Sequence, residues 1–308
     1  MRSEEAADRD ELVNLAELQE IELLILKRMR EYTMGEHRSL FHGSGFDLVG
    51  LREWQPGDRP SAIDWPQSTI TNYCPVLVRD FEQPSTATVV AVADRSLSTR
   101  CGMHGIPIAA AIARAIGTIG MSAVFFQDMF GLITFDARFA ELAAVQPRVG
   151  KGQVIHCLDA YQYDRGVLDL KAGGTLSATI AGFMRKTSMV PVISDFLFDR
   201  PSDVLNELAS LNSMHDVFLV LIDSAFAFEL PTVSAGWIEA FDVETGRSRV
   251  LSRRDMKMMA AGTRSWQDEV HRMAKGIDLD VLRIGIDERE TAIALSEFVA
   301  ERRLRKKG

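Results

Sequence analysis

Apolar residues follow two different periods along the chain. From Asp10 to about Tyr32, Leu12, Leu15, Leu18, Ile21, Ile25, Leu26 and Met29 recur at spacings of mostly three and four, which predicts an amphipathic helix that must dock on something. After Pro84 the pattern turns into short, continuous apolar runs alternating with longer helical stretches. Residues 87–93, 189–194 and 217–222 read as strands buried on both faces, and 131–135, 139–145 and 279–286 as further strands. Residues 106–121, 153–161, 176–186, 202–211 and 290–303 read as helices. Doubly buried strands alternating with helices predict an α/β domain with a doubly wound, mostly parallel sheet.

Two stretches depart from this alternation. Between Gly43 and Pro84 the texture is Gly, Pro, aromatics and short apolar pairs, with a turn at Gln55-Pro56-Gly57-Asp58, so loops and short strands are expected there. Between about 226 and 271, segments 237–241 and 249–251 flank Glu244-Thr245-Gly246 and a polar helix follows from Arg254. This reads as a hairpin insertion between the last two sheet strands. The expected division is an N-terminal segment, 1–84, and an α/β domain, 85–308.

Composition narrows the class. The 308 residues are 46% hydrophobic and 25% charged, with a formal charge of −8 and an isoelectric point near 5.4, which suits a globular chain with an ample core and gives no general field for nucleic acid. Cys74, Cys101 and Cys157 are widely spaced and suggest neither a disulfide framework nor a zinc site. The six histidines lack metal-ligand spacing. The acidic start has no secretory pattern. Residues 106–126 are nearly charge-free and long enough to cross a bilayer, but Pro107, the central Arg114 and the reliance on Ala and Gly point to a buried soluble helix instead. A cytoplasmic protein without membrane insertion is expected. The basic run at 302–307 reads as a helix C-terminus complementing its dipole.

In such a sheet, ligands sit beyond the carboxyl ends of the strands. The first strand runs into Asp94-Arg95-Ser96-Leu97-Ser98, the strand at 189–194 ends in Asp195, and Gly173-Gly174-Thr175 opens the helix before that strand. These loops offer two carboxylates and three hydroxyls without His or Cys, a hard oxygen set suited to Mg²⁺. The structural alternative is helix capping by Ser96, Ser98 or Thr99.

Asp94-x-Ser96-x-Ser98, Thr175 and Asp195, in this order, resemble the metal-ion-dependent adhesion site of von Willebrand factor type A domains. A second resemblance spans nearly the whole chain. Gly35-Glu-His-Arg-Ser39, Leu51-Arg-Glu-Trp-Gln-Pro-Gly-Asp58, Ile63-Asp-Trp65 and Val78-Arg-Asp-Phe-Glu82 resemble the bacterial MoxR-associated domain-of-unknown-function fifty-eight family. The resemblances imply a von Willebrand A-like domain holding Mg²⁺ or Mn²⁺ at Asp94, Ser96, Ser98, Thr175 and Asp195. They further imply a non-enzymatic, chaperone-like role with a MoxR-type AAA+ ATPase or its client. Arg52, Glu53, Asp58, Asp64, Arg79 and Glu82 read as a salt-bridged turn, with Trp54, Trp65 and Phe81 as docking anchors, or else as a polar partner surface. The alternative function is a Mg²⁺-dependent phosphohydrolase of the haloacid dehalogenase type with Asp94 as nucleophile, although Ser96 stands where that family has its second Asp.

Overall fold

The computed structural model describes residues 12–34, 47–56, 58, 60–82, 86–103, 106–136, 139, 141–170, 175–228, 237–241 and 248–305. Two compact units emerge, Met29–Thr86, and Met1–Arg28 together with Ala87–Gly308. Leu15–Arg28 of helix α1 (Leu15–Met34) therefore belong to the larger unit. Leu18 and Ile25 are buried, and the Leu18 side chain lies against Gly117, where an added Cβ would sit 3.4 Å from it.

The smaller unit is built on antiparallel strands β1 (Asp47–Glu53) and β2 (Leu77–Glu82), with the short helix α2 (Trp65–Ile70) between them. Its signature residues close on each other. Arg52 grips Asp58 through two bonds of 2.7 Å, and Asp58 also accepts the Gln55 N–H at 2.8 Å. These contacts hold the Asp58 carboxyl down at about 2. Asp64 caps α2 by accepting the Gln67 N–H at 3.1 Å. Trp54 and Trp65 are exposed in the unit, and the side chains of Arg79, Phe81 and Glu82 lie outside the described residues, as does 35–39.

The larger unit runs in order through β3 (Thr88–Asp94), a two-residue pair β4 (Gly102–Met103) and β5 (Ile106–Pro107), α3 (Ile108–Phe125), β6 (Met129–Phe135), β7 (Leu142–Arg148) and α4 (Lys151–Tyr163). It continues with β8 (Leu168–Leu170), α5 (Leu176–Phe183), β9 (Met189–Ser194), α6 (Pro201–Asn212) and β10 (Asp216–Ile222). The hairpin β11 (Trp237–Phe241) and β12 (Ser248–Ser252) leads into α7 (Arg253–Gly276), and β13 (Asp280–Ile284) and α8 (Glu288–Arg305) close the unit. Seven strands form one sheet in the order β13-β10-β9-β3-β6-β7-β8. Only β7 runs against the others.

Helices cover both faces, as the doubly buried strands require. Leu176, Ile180, Leu205, Leu208, Leu211, Val270 and Ala274, from α5, α6 and α7, share one core with the sheet. Helix α3 lies on the other face, flanked by α4 and α8, which also pack on the sheet. Of its 18 residues, 15 are buried. Among the described residues it is the one helix long and apolar enough to cross a membrane, and 83% of that window is enclosed here by protein.

Several expected boundaries shift for local reasons. The helix expected from 106 starts at Ile108, because Ile106–Pro107 pair with Gly102–Met103 and Ile108 N–H bonds Cys101 O at 2.9 Å. The strand expected at 139–145 starts at Leu142. Phe139 takes a left-handed φ of 54° and stacks its ring 4.6 Å from Phe135, so it turns the chain instead of extending it. The three-residue edge strand β8 is too short for its alternation to be read from sequence.

The basic end of α8 is tied to the amino edge of the sheet. Arg302 pairs with Asp216 and Asp280 and lies 4.9 Å and 5.4 Å from the ring centres of Phe218 and Phe298. Arg303 meets Asp128, 1% exposed, at 2.8 and 3.0 Å, and Asp128 also accepts the Ala87 N–H at 2.7 Å. Removing one partner of such a pair strands a buried charge. Arg303→Met is expected to lower the unfolding free energy by about 3–5 kcal/mol, read from the urea midpoint, with Arg303→Met/Asp128→Asn recovering much of that loss.

Candidate functional site

Strand order decides where a ligand can sit. Counted from β3, the six main strands lie in the order third, second, first, fourth, fifth, sixth, the arrangement whose crevice opens beyond the strand ends where the order reverses. That switch point lies between β3 and β9, where Ala93 pairs with Ile193 in parallel register. One residue farther along, Asp94 and Ser194 come together, and Asp195 follows.

The two carboxylates are brought together in a place short of water. Asp94 and Asp195 are each 1% exposed. Asp94 accepts the Ser96 N–H at 2.8 Å on Oδ1 and the Ser194 hydroxyl at 2.6 Å on Oδ2. The Ser194 oxygen in turn accepts the Phe196 N–H at 2.9 Å, and the Tyr161 hydroxyl donates to the Asp94 carbonyl at 2.9 Å. Asp195 is less well served. Its Oδ1 accepts the Leu197 N–H at 3.2 Å, while its buried Oδ2 has no hydrogen-bond partner among the described residues. Gln267 holds the loop from behind, donating to the carbonyls of Asp195 at 3.1 Å and Ile222 at 2.7 Å, and Trp266 donates to Phe196 O at 2.8 Å.

Burial and crowding of like charge act in the same direction on both acids. Burial raises the Asp94 carboxyl, its hydrogen bonds from Ser194 and Ser96 pull the other way, and the charge of Asp136 adds to the rise. Asp195 is pushed up to about 7, first by burial and then by the Asp94 charge. Near neutral pH the pair thus favours taking up positive charge, a proton or a cation.

The hydroxyls differ in their availability. Ser96 and Ser98 place their oxygens 2.9 Å apart beside Asp94. Ser96 stands at the start of the 3-10 turn Leu97–Arg100 without a side-chain cap bond, so neither hydroxyl is spent as the capping alternative requires. Thr175 does follow that alternative. It is exposed, its hydroxyl accepts the Ala178 N–H at 3.2 Å as the cap of α5, and its other side-chain neighbour is Ser177. Among the described residues no hydrogen bond joins Thr175 to either carboxylate, although chain direction puts it at the same edge of the sheet. Residues 171–174, which include Gly173 and Gly174, lie outside the described residues.

The donor set suits a hard cation. Two carboxylates balance a divalent charge, two neighbouring hydroxyls add neutral oxygens, and the orphaned Asp195 Oδ2 is an atom in need of a positive partner. Among the described residues no group of three or more His, Cys, Asp and Glu side chains gathers anywhere, so an ion here would need hydroxyl or water oxygens as well. Sequence reasoning missed Ser194, Tyr161, Trp266 and Gln267. Ser194 carried one signal, its place at the strand end beside Asp195; the others come from distant elements.

The raised Asp195 carboxyl has a measurable consequence. Between pH 4 and 7 the folded chain binds a proton that the unfolded chain releases, so without divalent cations stability should fall as pH rises through this window and level off above about 7. A rise of about three pH units bounds the loss at about 4 kcal/mol. Asp195→Asn should flatten this slope in urea titrations in chelator, and an unchanged slope would remove Asp195 from the account.

The family described as "Protein of unknown function DUF58" matches residues 50–272. Uncharacterized proteins of Mycobacterium tuberculosis (Rv1480) and Mycobacterium bovis (Mb1516) are each 26% identical over 309 aligned positions, covering 96% of this chain and 92% of theirs. Among solved structures, an aerotolerance-related membrane protein from Bacteroides fragilis aligns at 14% identity and a TM-score of 0.43. BatB from Bacteroides thetaiotaomicron aligns at 12% and 0.43, and each alignment covers 70% of this chain and 99% of the other. With a family match across most of its length, reaching from the Arg52–Asp58 turn to the helix behind Asp195, the chain belongs to the DUF58 family.

Proposed function

We propose that this chain is a protein-interaction module in which Asp94, Asp195, Ser96 and Ser98, joined by Thr175 from the α5 loop, hold Mg²⁺ or Mn²⁺ in the manner of a metal-ion-dependent adhesion site. The bound ion supplies positive charge that can accept a carboxylate of another protein. In this reading Asp94 and Asp195 neutralise the ion, the serine hydroxyls complete its oxygen shell without adding charge, and Ser194 and Gln267 fix the two loops. No turnover is involved. The partner is a MoxR-type AAA+ ATPase or its client, and the widely spaced Cys74, Cys101 and Cys157 suit work in a reducing cytoplasm.

One observation carries the proposal: two adjoining carboxylates, both nearly inaccessible, with one oxygen left without a donor among the described residues. A fold gains nothing by keeping such an atom, which costs about 1–3 kcal/mol or more when unsatisfied, unless something compensates it. Mg²⁺ titration is the test. An ion present at one hundred times its dissociation constant stabilises the folded chain by about 2.7 kcal/mol, so the wild-type melting temperature should rise by several degrees and saturate. Asp94→Ala should show no saturable rise. Equal rises in the two proteins would overturn the proposal, as would partner capture indifferent to chelator.

A further inference from the structure

Helix α7 is much longer than the strands it accompanies. Gln267 is bonded to Ile222 O and Asp195 O at the tips of β10 and β9. The helix starts 14 residues earlier, at Arg253, and at about 1.5 Å per residue that leaves about 20 Å of helix on the strand-tip side of the Gln267 clamp. The inner face of this arm is paid for by packing: Met256, Ala260 and Thr263 are buried, and the helix lies against the turn Ser224–Phe228. Its outer face is different.

That outer face is basic and oily in an acidic protein. Residues 248–264 hold Arg249, Arg253, Arg254, Lys257 and Arg264 against a single acid, Asp255, in a chain of net charge −8. The Asp255 carboxylate is bound by the Ser252 N–H and hydroxyl in a capping box. Arg254, Lys257, Met258 and Ala261 share one helical stripe and line a shallow concavity of about 410 Å³. Met258 and Met259 are 56% and 41% exposed, and Val250 on the adjoining strand is 65% exposed. Arg254 and Lys257 stand in the first turns of the helix, where cations oppose its dipole. Methionine set among cations gives a surface that adapts to apolar side chains while attracting negative charge.

We propose that this arm is a docking surface for an acidic amphipathic segment of a partner protein, its carboxylates meeting Arg254 and Lys257 and its apolar side chains covering Met258 and Ala261. The inference rests on the reading of the chain as an interaction module and names the partner's chemistry; it does not require the cation. An acidic segment fits better than a bilayer because the attracting face is one narrow helical stripe, matched to the width of a single helix rather than to a flat anionic surface.

The test is fluorescence anisotropy with the full chain and a labelled 18-residue helical peptide carrying Glu on one face and Leu on the other, measured in EDTA. Binding is expected, with at least a tenfold rise in dissociation constant for Arg254→Glu/Lys257→Glu and at least threefold for Met258→Ser. All three side chains are exposed, so folding should survive, and circular dichroism checks it. A Lys-for-Glu version of the peptide should not bind. The proposal is overturned by an absence of peptide binding, by affinity indifferent to the charge reversals, or by phosphatidylserine vesicles that sediment the chain through Arg254 and Lys257 in preference to the peptide. Because EDTA is present throughout, failure here leaves the Mg²⁺ titration standing, and failure of that titration leaves this result standing.

Discussion

The hydrogen bond from the Ser194 hydroxyl to Asp94 sets the terms for the rest of the site. It joins the tips of two strands a hundred residues apart in sequence and fixes one carboxylate at the point where strand order reverses. Asp195 follows on the same loop, so a second acid is carried into the same dry space. Two like charges there repel, and neither can reach water to be relieved. The arrangement favours whatever brings positive charge.

The remainder of the unit keeps that arrangement rigid. Helix α3 fills one side of the sheet with small apolar residues, which lets it approach closely; at Gly120 an added Cβ would stand 2.7 Å from Val154. Tyr161 from α4 holds the Asp94 carbonyl, and Trp266 and Gln267 from α7 hold the carbonyls of Phe196 and Asp195. The loops are thereby anchored through their backbones, leaving the side-chain oxygens of Asp195, Ser96 and Ser98 less committed. The helix that clamps the Asp195 loop is also the one that projects beyond it, so the strand-tip crevice and the basic arm share one support.

Asp94 and Asp195 were legible because a carboxylate at the end of a doubly buried strand is unusual and local in sequence. Ser96 and Ser98 came with the same short motif. Thr175 matches the motif in type and order, and its side chain also caps its own helix, a role that no spacing rule distinguishes from ligation. Ser194 was visible only as an ordinary strand residue. Gln267 lies 72 residues from Asp195, on a helix that the sequence marks only as polar. Phe139 misled the strand boundary, since an aromatic in an apolar run reads as extended until its ring is seen stacked on Phe135.

Periodicity fixed the alternation of strands and helices, the buried character of α3, the hairpin insertion and the two acidic strand ends, because each depends on residues within a few turns of one another. Only the folded chain decided that those ends are neighbours, that water is kept from them, that one oxygen is left without a donor and that α7 outruns its strands. Those properties depend on which distant segments come into contact, and water exclusion and hydrogen-bond pairing act through space rather than along the chain.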